Sequence, residues 1–204
     1  MSDTMDENEF RSTLIKAARY LQQNHPAEAI MMLTPLHDQD PENLDVAINL
    51  GGAYILQRKW FKAVSILEPA SKTYPDNQMV WMNLAAAYLG TLELSGPAQQ
   101  QRAIDAYEKV LAIDSRAQNV HYHLGLIYKD QHKYEQAKRY FQEAIQVNPA
   151  DRDARLWLQR MDGALAELAA GIDPSVPAQD SSIQDSKATD DRELDRGNGA
   201  QDAK

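Results

Sequence analysis

The sequence predicts an all-α fold, a solenoid of stacked helical hairpins, from three observations. The apolar skeleton of residues 119–149 recurs toward the N terminus at a period of about thirty-four residues, a length typical of two short helices. Tyrosine returns at one position of every unit, at Tyr20, Tyr54, Tyr88 and Tyr128. Proline ends three of the units, at Pro41, Pro75 and Pro149. Repeats of this kind bury their apolar faces against their neighbours along the stack.

The repeat units are placed at residues 10–43, 44–77, 78–117 and 118–151. The eighth position is always small, and it is occupied by Ala17, Gly51, Ala85 and Gly125. A second small position falls on Ala29, Ala63, Ala103 and Ala137. Small residues let the two helices of a hairpin approach closely, so Gly51 and Gly52 are predicted inside a helix and not in a phosphate-binding loop.

The first and third units depart from the pattern. Lys16 replaces the leucine of the other units, which suits a terminal repeat that has no upstream neighbour. The third unit is six residues longer than the others, and Ser95-Gly96-Pro97 predicts a break there with Pro97 in the first turn of a new helix. The extra segment is either a tolerated loop insertion or a lip that shapes a binding surface.

Segments of different composition flank the repeats. Residues 1–9 are acidic and are predicted to be disordered. A capping helix is predicted over 152–170, with Asp151 as its N-cap and Gly171 at its end. Its apolar stripe consists of Trp157, Met161, Leu165 and Leu168. Residues 171–204 contain no aromatic side chain and are predicted to form a disordered acidic tail.

The charge is uneven along the chain. The formal net charge is −9; residues 1–10 and 171–204 contribute −4 each, which leaves −1 for residues 11–170. Nucleic acid is therefore not an expected partner, because phosphate binding needs a basic face. The absence of cysteine suits a reducing compartment, so a cytoplasmic location is predicted. No run of apolar residues is long enough to span a bilayer, so membrane insertion is not expected.

Residues for catalysis or metal binding are not arranged in any known pattern. His121 and His123 are two residues apart, so on a helix they point to opposite sides and cannot share a metal ion. The sequence contains no HExxH motif and no GxSxG nucleophile elbow. We therefore expect no cofactor, no metal and no enzymatic activity.

The pattern resembles the tetratricopeptide repeat family. The resemblance covers residues 10–151, and residues 118–151 match the family pattern at almost every diagnostic position. It implies paired antiparallel helices stacked into a right-handed superhelix, with the first helix of each pair lining a concave groove. It also implies that the activity is protein binding.

The resemblance further implies which side chains face the groove. Its floor is mostly apolar, with a polar row of Asn49, Asn83 and His123. The row either hydrogen-bonds the backbone of a ligand or bonds only within the protein. The candidate partner-binding residues are Ile48, Asn49, Met79, Met82, Asn83, Leu89, Asn119, Tyr122, His123 and Leu126.

Co-chaperones of the same family hold the C-terminal carboxylate of a chaperone with a Lys/Asn/Asn/Lys/Arg clamp. The corresponding positions here are Ile48, Gly52, Asn83, Asn119 and His123. Only Asn83 keeps the required residue type, so this mode of binding is not expected. Apolar floors with adaptable methionines suit an apolar peptide or helix instead.

The function expected from the sequence is that of a non-enzymatic adaptor or assembly chaperone that holds an apolar peptide or helix of another protein. The alternative is a structural scaffold that self-associates into a homo-oligomer. A regulatory role of residues 171–204 is a third interpretation, in which they fold back or tune encounter electrostatics.

Overall fold

The computed structural model describes residues 5–175, in which nine α-helices and one 3₁₀ helix are joined by turns and no β-strand occurs. The predicted all-α fold class is confirmed. The helices are α1 (Glu7–Gln22), α2 (Pro26–Gln39), α3 (Leu44–Leu56), α4 (Trp60–Thr73), α5 (Gln78–Leu89), the 3₁₀ helix (Leu92–Leu94), α6 (Pro97–Ile113), α7 (Val120–Asp130), α8 (Tyr134–Val147) and α9 (Arg152–Ala169).

The helices stack in chain order. Each helix packs on the next one along the chain, and α3 also packs on both α1 and α5. The close approach within hairpins depends on the small positions. A Cβ atom added to Gly51 would lie 2.6 Å from Leu67, and one added to Gly125 would lie 2.7 Å from the ring of Phe141. Neither helix pair could therefore approach as closely with a larger residue at these sites.

The second helix of a repeat stops shortly before the proline that ends the unit. α2, α4 and α8 end two residues before Pro41, Pro75 and Pro149. This fits the chemistry of proline, which lacks an amide proton and disfavours the helical conformation of the residue before it.

The long third unit contains the 3₁₀ helix between α5 and α6. α6 begins at Pro97 with Gly96 as its N-cap, so the predicted break is confirmed. Gln100 fastens this segment to the C-terminal end of α7. Its side chain is 4% exposed, donates to Asp130 Oδ2 over 2.7 Å and accepts from Gln131 Nε2 over 3.0 Å.

Both ends of the repeat array differ from the sequence expectation. The first helix begins at Glu7, inside the segment 1–9 that was predicted to be disordered, because Asp6 caps it by accepting from the Glu9 amide over 2.8 Å. In α9, Met161 is buried but Leu168 is 46% exposed, so the predicted apolar stripe does not pack along its whole length. Most of the predicted tail, residues 176–204, lies outside the described residues.

Candidate partner-binding groove

The first helices of the second and third repeats meet along one side of the stack. The Asn83 amide on α5 donates to the Ile48 carbonyl on α3 over 3.4 Å, and a Cβ atom on Gly52 would lie 3.8 Å from the same amide. Asn49 donates instead to the Asp45 carbonyl of its own helix over 2.7 Å. Two side chains of the predicted polar row, Asn49 and Asn83, therefore donate hydrogen bonds to backbone carbonyls of the protein itself.

A cleft of about 280 Å³ opens between α5 and α7, beside the extra segment of the third unit. Three predicted groove residues come together in its wall, namely Leu89 from α5 and His123 and Leu126 from α7. Trp60 and the buried Tyr107 from the neighbouring second helices also line it. The lining is apolar except at His123 and Tyr107, so the cleft suits a large apolar side chain.

His123 and Tyr107 form a hydrogen-bonded pair in this wall. The Tyr107 hydroxyl lies 3.0 Å from His123 Nδ1, and the rings are 5.6 Å apart. Burial lowers the pKa of His123 and raises the pKa of Tyr107, because both charged forms lose solvation there. A neutral imidazole and a neutral phenol leave the cleft uncharged, which favours an apolar occupant.

His121 lies on the opposite side of α7, as the spacing predicts. Its ring nitrogens lie 3.1 Å from Glu143 Oε2 and 3.0 Å from the Ser115 carbonyl. Within residues 5–175, no three His, Cys, Asp or Glu side chains come together as metal ligands. No helix in this part of the chain is long and apolar enough to cross a membrane.

The remaining predicted site residues do not line this cleft. Tyr122 packs toward α8 and α9, with its ring 5.9 Å from that of Phe141. Met82 is half-buried against the core, and Met79 is 53% exposed at the start of α5. Asn119 precedes α7 in a left-handed conformation (φ 65°), so it does not project from the helix face. The ten predicted residues thus form a dispersed set of which three share a cleft.

A second cleft of about 340 Å³ was not anticipated from the sequence. We call it the edge cleft; its main lining residues are Trp60, Phe61, Val64, Leu89, Leu94 and Arg102. It lies between the start of α4 and the 3₁₀ helix. The 3₁₀ helix belongs to the extra segment of the third unit, whose residues have no counterpart in the repeat pattern. The signal in the sequence was the aromatic pair Trp60-Phe61 set among Arg58, Lys59 and Lys62.

Comparison with protein families identifies the repeat. Tetratricopeptide repeat profiles match residues 20–87 and residues 119–151. The chain is a tetratricopeptide repeat protein. Repeats of this family act generally as protein-interaction modules, and that general role is supported here. A search of curated proteins finds no match to this chain.

Solved structures agree with the fold. MamA 41-end from Desulfovibrio magneticus RS-1 superposes with a TM-score of 0.69 at 19% identity, covering 82% of this chain and 90% of that one. A further crystal structure of MamA gives 0.64 at 19% identity, with coverage of 83% and 87%. A tetratricopeptide repeat protein from Parabacteroides merdae gives 0.63 at 23% identity, covering 78% and 62%. At these identities the likeness shows the shared architecture alone.

Proposed function

We propose that this protein is a non-enzymatic adaptor or assembly chaperone that binds an apolar peptide or helix of another protein in the groove between α5 and α7. The observation that carries the proposal is the 280 Å³ cleft whose wall contains Leu89, His123 and Leu126. An apolar side chain entering it would meet no charged group in its lining.

The energetics allow binding through a small number of contacts. Burial of one large apolar side chain contributes about 1.5–3 kcal/mol, so a segment that buries two or three gains several kcal/mol before association costs. The half-buried Met82 adapts its shape readily and lies on the same helix as Leu89. Affinities in the micromolar range are expected.

The test is site-specific photo-crosslinking in native lysate. A photo-reactive amino acid replaces Leu126 inside the groove, and in a matched variant it replaces Ile113, which is 40% exposed at the end of α6. We expect cross-links to another protein from position 126 and not from position 113. Circular dichroism of both variants checks that the fold is kept.

The remaining outcomes discriminate between the hypotheses. Cross-links at position 126 to a second copy of the same chain would favour the self-associating scaffold. Equal cross-linking from both positions would place the contact outside the groove and contradict the proposal. A competing apolar peptide that removes the cross-link from position 126 would support it further.

A further inference from the structure

The edge cleft carries two strongly exposed apolar side chains. Phe61 is 92% exposed on α4, and Leu94 is 85% exposed in the 3₁₀ helix. Both lie at the mouth of a cleft that has Trp60 and Val64 in its walls. Large apolar residues that cluster around a concavity mark interaction sites, whereas isolated ones are ordinary surface. The cleft volume, about 340 Å³, lies at the lower end of the range of ligand pockets.

The turn into α4 and the first turn of α4, which adjoin the edge cleft, are basic, although the chain as a whole is acidic. Arg58, Lys59 and Lys62 lie within five residues of one another, and no ion pair in residues 5–175 involves any of them. Arg58 donates to the hydroxyl of Thr91, a residue of the cleft, over 3.3 Å. Glu93, next to Leu94 in the 3₁₀ helix, is an exposed acidic residue beside this cleft.

The fourth cation, Arg102, is already neutralised. Its guanidinium pairs with Glu68 and lies 3.9 Å from the centre of the Tyr88 ring. Tyr88 also donates to Glu68 over 2.8 Å, and burial beside this carboxylate raises the pKa of Tyr88 to about 12. Tyr88 and Arg102 line the cleft, and Glu68 contacts both of them. Arg58 and Lys59 have no ion-pair partner in residues 5–175. The Lys62 ammonium lies 5.7 Å from the centre of the Tyr54 ring, a contact that leaves its positive charge in place.

We propose that the edge cleft binds an acidic linear segment of a partner protein, one large apolar side chain of which enters the cleft between Phe61 and Leu94. Acidic residues on either side of that anchor contact Arg58, Lys59 and Lys62. Opposite charges speed the encounter and fix the orientation, and the buried anchor supplies affinity. A nucleic acid fits less well, because a phosphate backbone has no apolar group for this cleft.

This site adjoins the groove between α5 and α7, and the two share Trp60, Leu89 and Gly90 in their linings, whereas Phe61 and Leu94 line the edge cleft alone. Trp60 and Gly90 stand between the two clefts, with the indole 3.4 Å from the position of a Cβ atom on Gly90. Variants of Phe61 or Lys62 leave Leu126 and His123 unchanged. Failure of one proposal is therefore distinguishable from failure of the other.

The experiment measures fluorescence anisotropy of a labelled peptide that carries one central tryptophan flanked by glutamates, with the full chain. Control peptides replace tryptophan by alanine or the glutamates by lysines. We expect binding of the first peptide alone, weakened at least about tenfold between about 0.05 and about 0.5 M salt. Equal binding of acidic and basic peptides would overturn the proposal.

Paired variants assign the site. Lys59→Glu with Lys62→Glu reverses two of the three charges, and Phe61→Ser with Leu94→Ser removes the anchor contacts; each is expected to weaken binding at least about tenfold. The matched controls are Lys109→Glu on α6 with Arg116→Glu in the turn that follows it, and Met31→Ser, an apolar residue that is 77% exposed on α2. Loss of binding in the controls as well would contradict the assignment.

The acidic residues beyond position 175 provide a last check on the occupant. Replacing Asp190, Asp191, Glu193 and Asp195 by their amides removes negative charge from that segment of the full chain. Unchanged binding of the acidic peptide supports a partner segment as the ligand. Binding that occurs only in this variant would assign the cleft to the protein's own C-terminal segment and overturn the proposal.

Discussion

Gly51 and Gly52 are adjacent in α3 but have different surroundings. A Cβ atom on Gly51 would lie 2.6–2.8 Å from three side-chain carbons of Leu67, which is itself fully buried. The nearest atom to a Cβ on Gly52 is the Asn83 amide nitrogen at 3.8 Å. The first glycine is therefore required by helix packing, and the second is not.

Alanine at these two positions is expected to change stability in opposite directions. Gly51→Ala should lower the free energy of unfolding by about 1–3 kcal/mol, because Leu67 must leave its place in a close-packed interior. Gly52→Ala should raise it by up to about 1 kcal/mol, since alanine favours the helix and restricts the unfolded chain. Urea unfolding measures both; equal shifts of the midpoint would contradict this reading.

Burial of His123 predicts a pH dependence of stability. The unfolded chain has a histidine pKa of about 6.5, and the folded-state pKa of His123 is lower. As the pH falls through this window, the unfolded chain binds a proton that the folded chain does not, so stability is lost toward acid.

His123→Gln should reduce the fall in Tm between about pH 6.5 and about pH 5. Leu126→Ala is the control from the same cleft, because it carries no titratable group and should lower Tm evenly across that range. A slope for His123→Gln as steep as that of the wild type would show that other groups cause the decline.

At the scale of elements, one buried amide links the long third unit to the end of α7. Gln99, Gln100 and Gln101 are consecutive on α6, but only Gln100 is buried, where it joins α6 to Asp130 and Gln131. A buried hydrogen bond of this kind fixes the segment between α5 and α6 relative to α7. The same segment lines both clefts, with Leu92 in the groove between α5 and α7 and Leu94 in the edge cleft.

Gln100→Ala should therefore cost about 1–3 kcal/mol of unfolding free energy, because Asp130 and Gln131 lose a partner in a buried place. Gln99→Ala and Gln101→Ala, on exposed positions, should each change it by less than about 0.5 kcal/mol. Thermal unfolding of the three variants provides the measurement. Three equal effects would indicate that the buried amide does not fasten this segment.

The sequence predicts those elements that the repeat period or the local residue chemistry determines. The helix interior at Gly51, the start of α6 at Pro97 and the end of α9 at Gly171 follow from residue chemistry and spacing alone. The edge cleft lies where the period is broken, so no repeat position describes Phe61 and Leu94 together. Asn119, a candidate partner-binding residue, lies one residue before α7 in a left-handed conformation, which the repeat period does not predict.

At the scale of the whole molecule, the apolar core is divided along the stack. The buried residues of α1 to α3 form one cluster, including Leu33 and Leu50. A second cluster joins Ala85 of α5 to buried residues of α6 to α9, including Phe141 and Met161. Two smaller clusters of α3 to α5 lie between them. In a solenoid, stability comes from each repeat and its contacts with immediate neighbours, so damage at one end is expected to remain local.

Met161→Ala tests this division. Met161 is 4% exposed, so the truncation should cost about 2–5 kcal/mol, whereas Leu168→Ala on the same helix, 46% exposed, should cost less than about 0.5 kcal/mol. Hydrogen exchange of Met161→Ala should show faster exchange in α7, α8 and α9, while amides of α1 to α4 keep their wild-type protection. Uniform loss of protection over α1 to α9 would mean that the helices unfold as one cooperative unit, because only then would a cavity beneath α9 weaken α1.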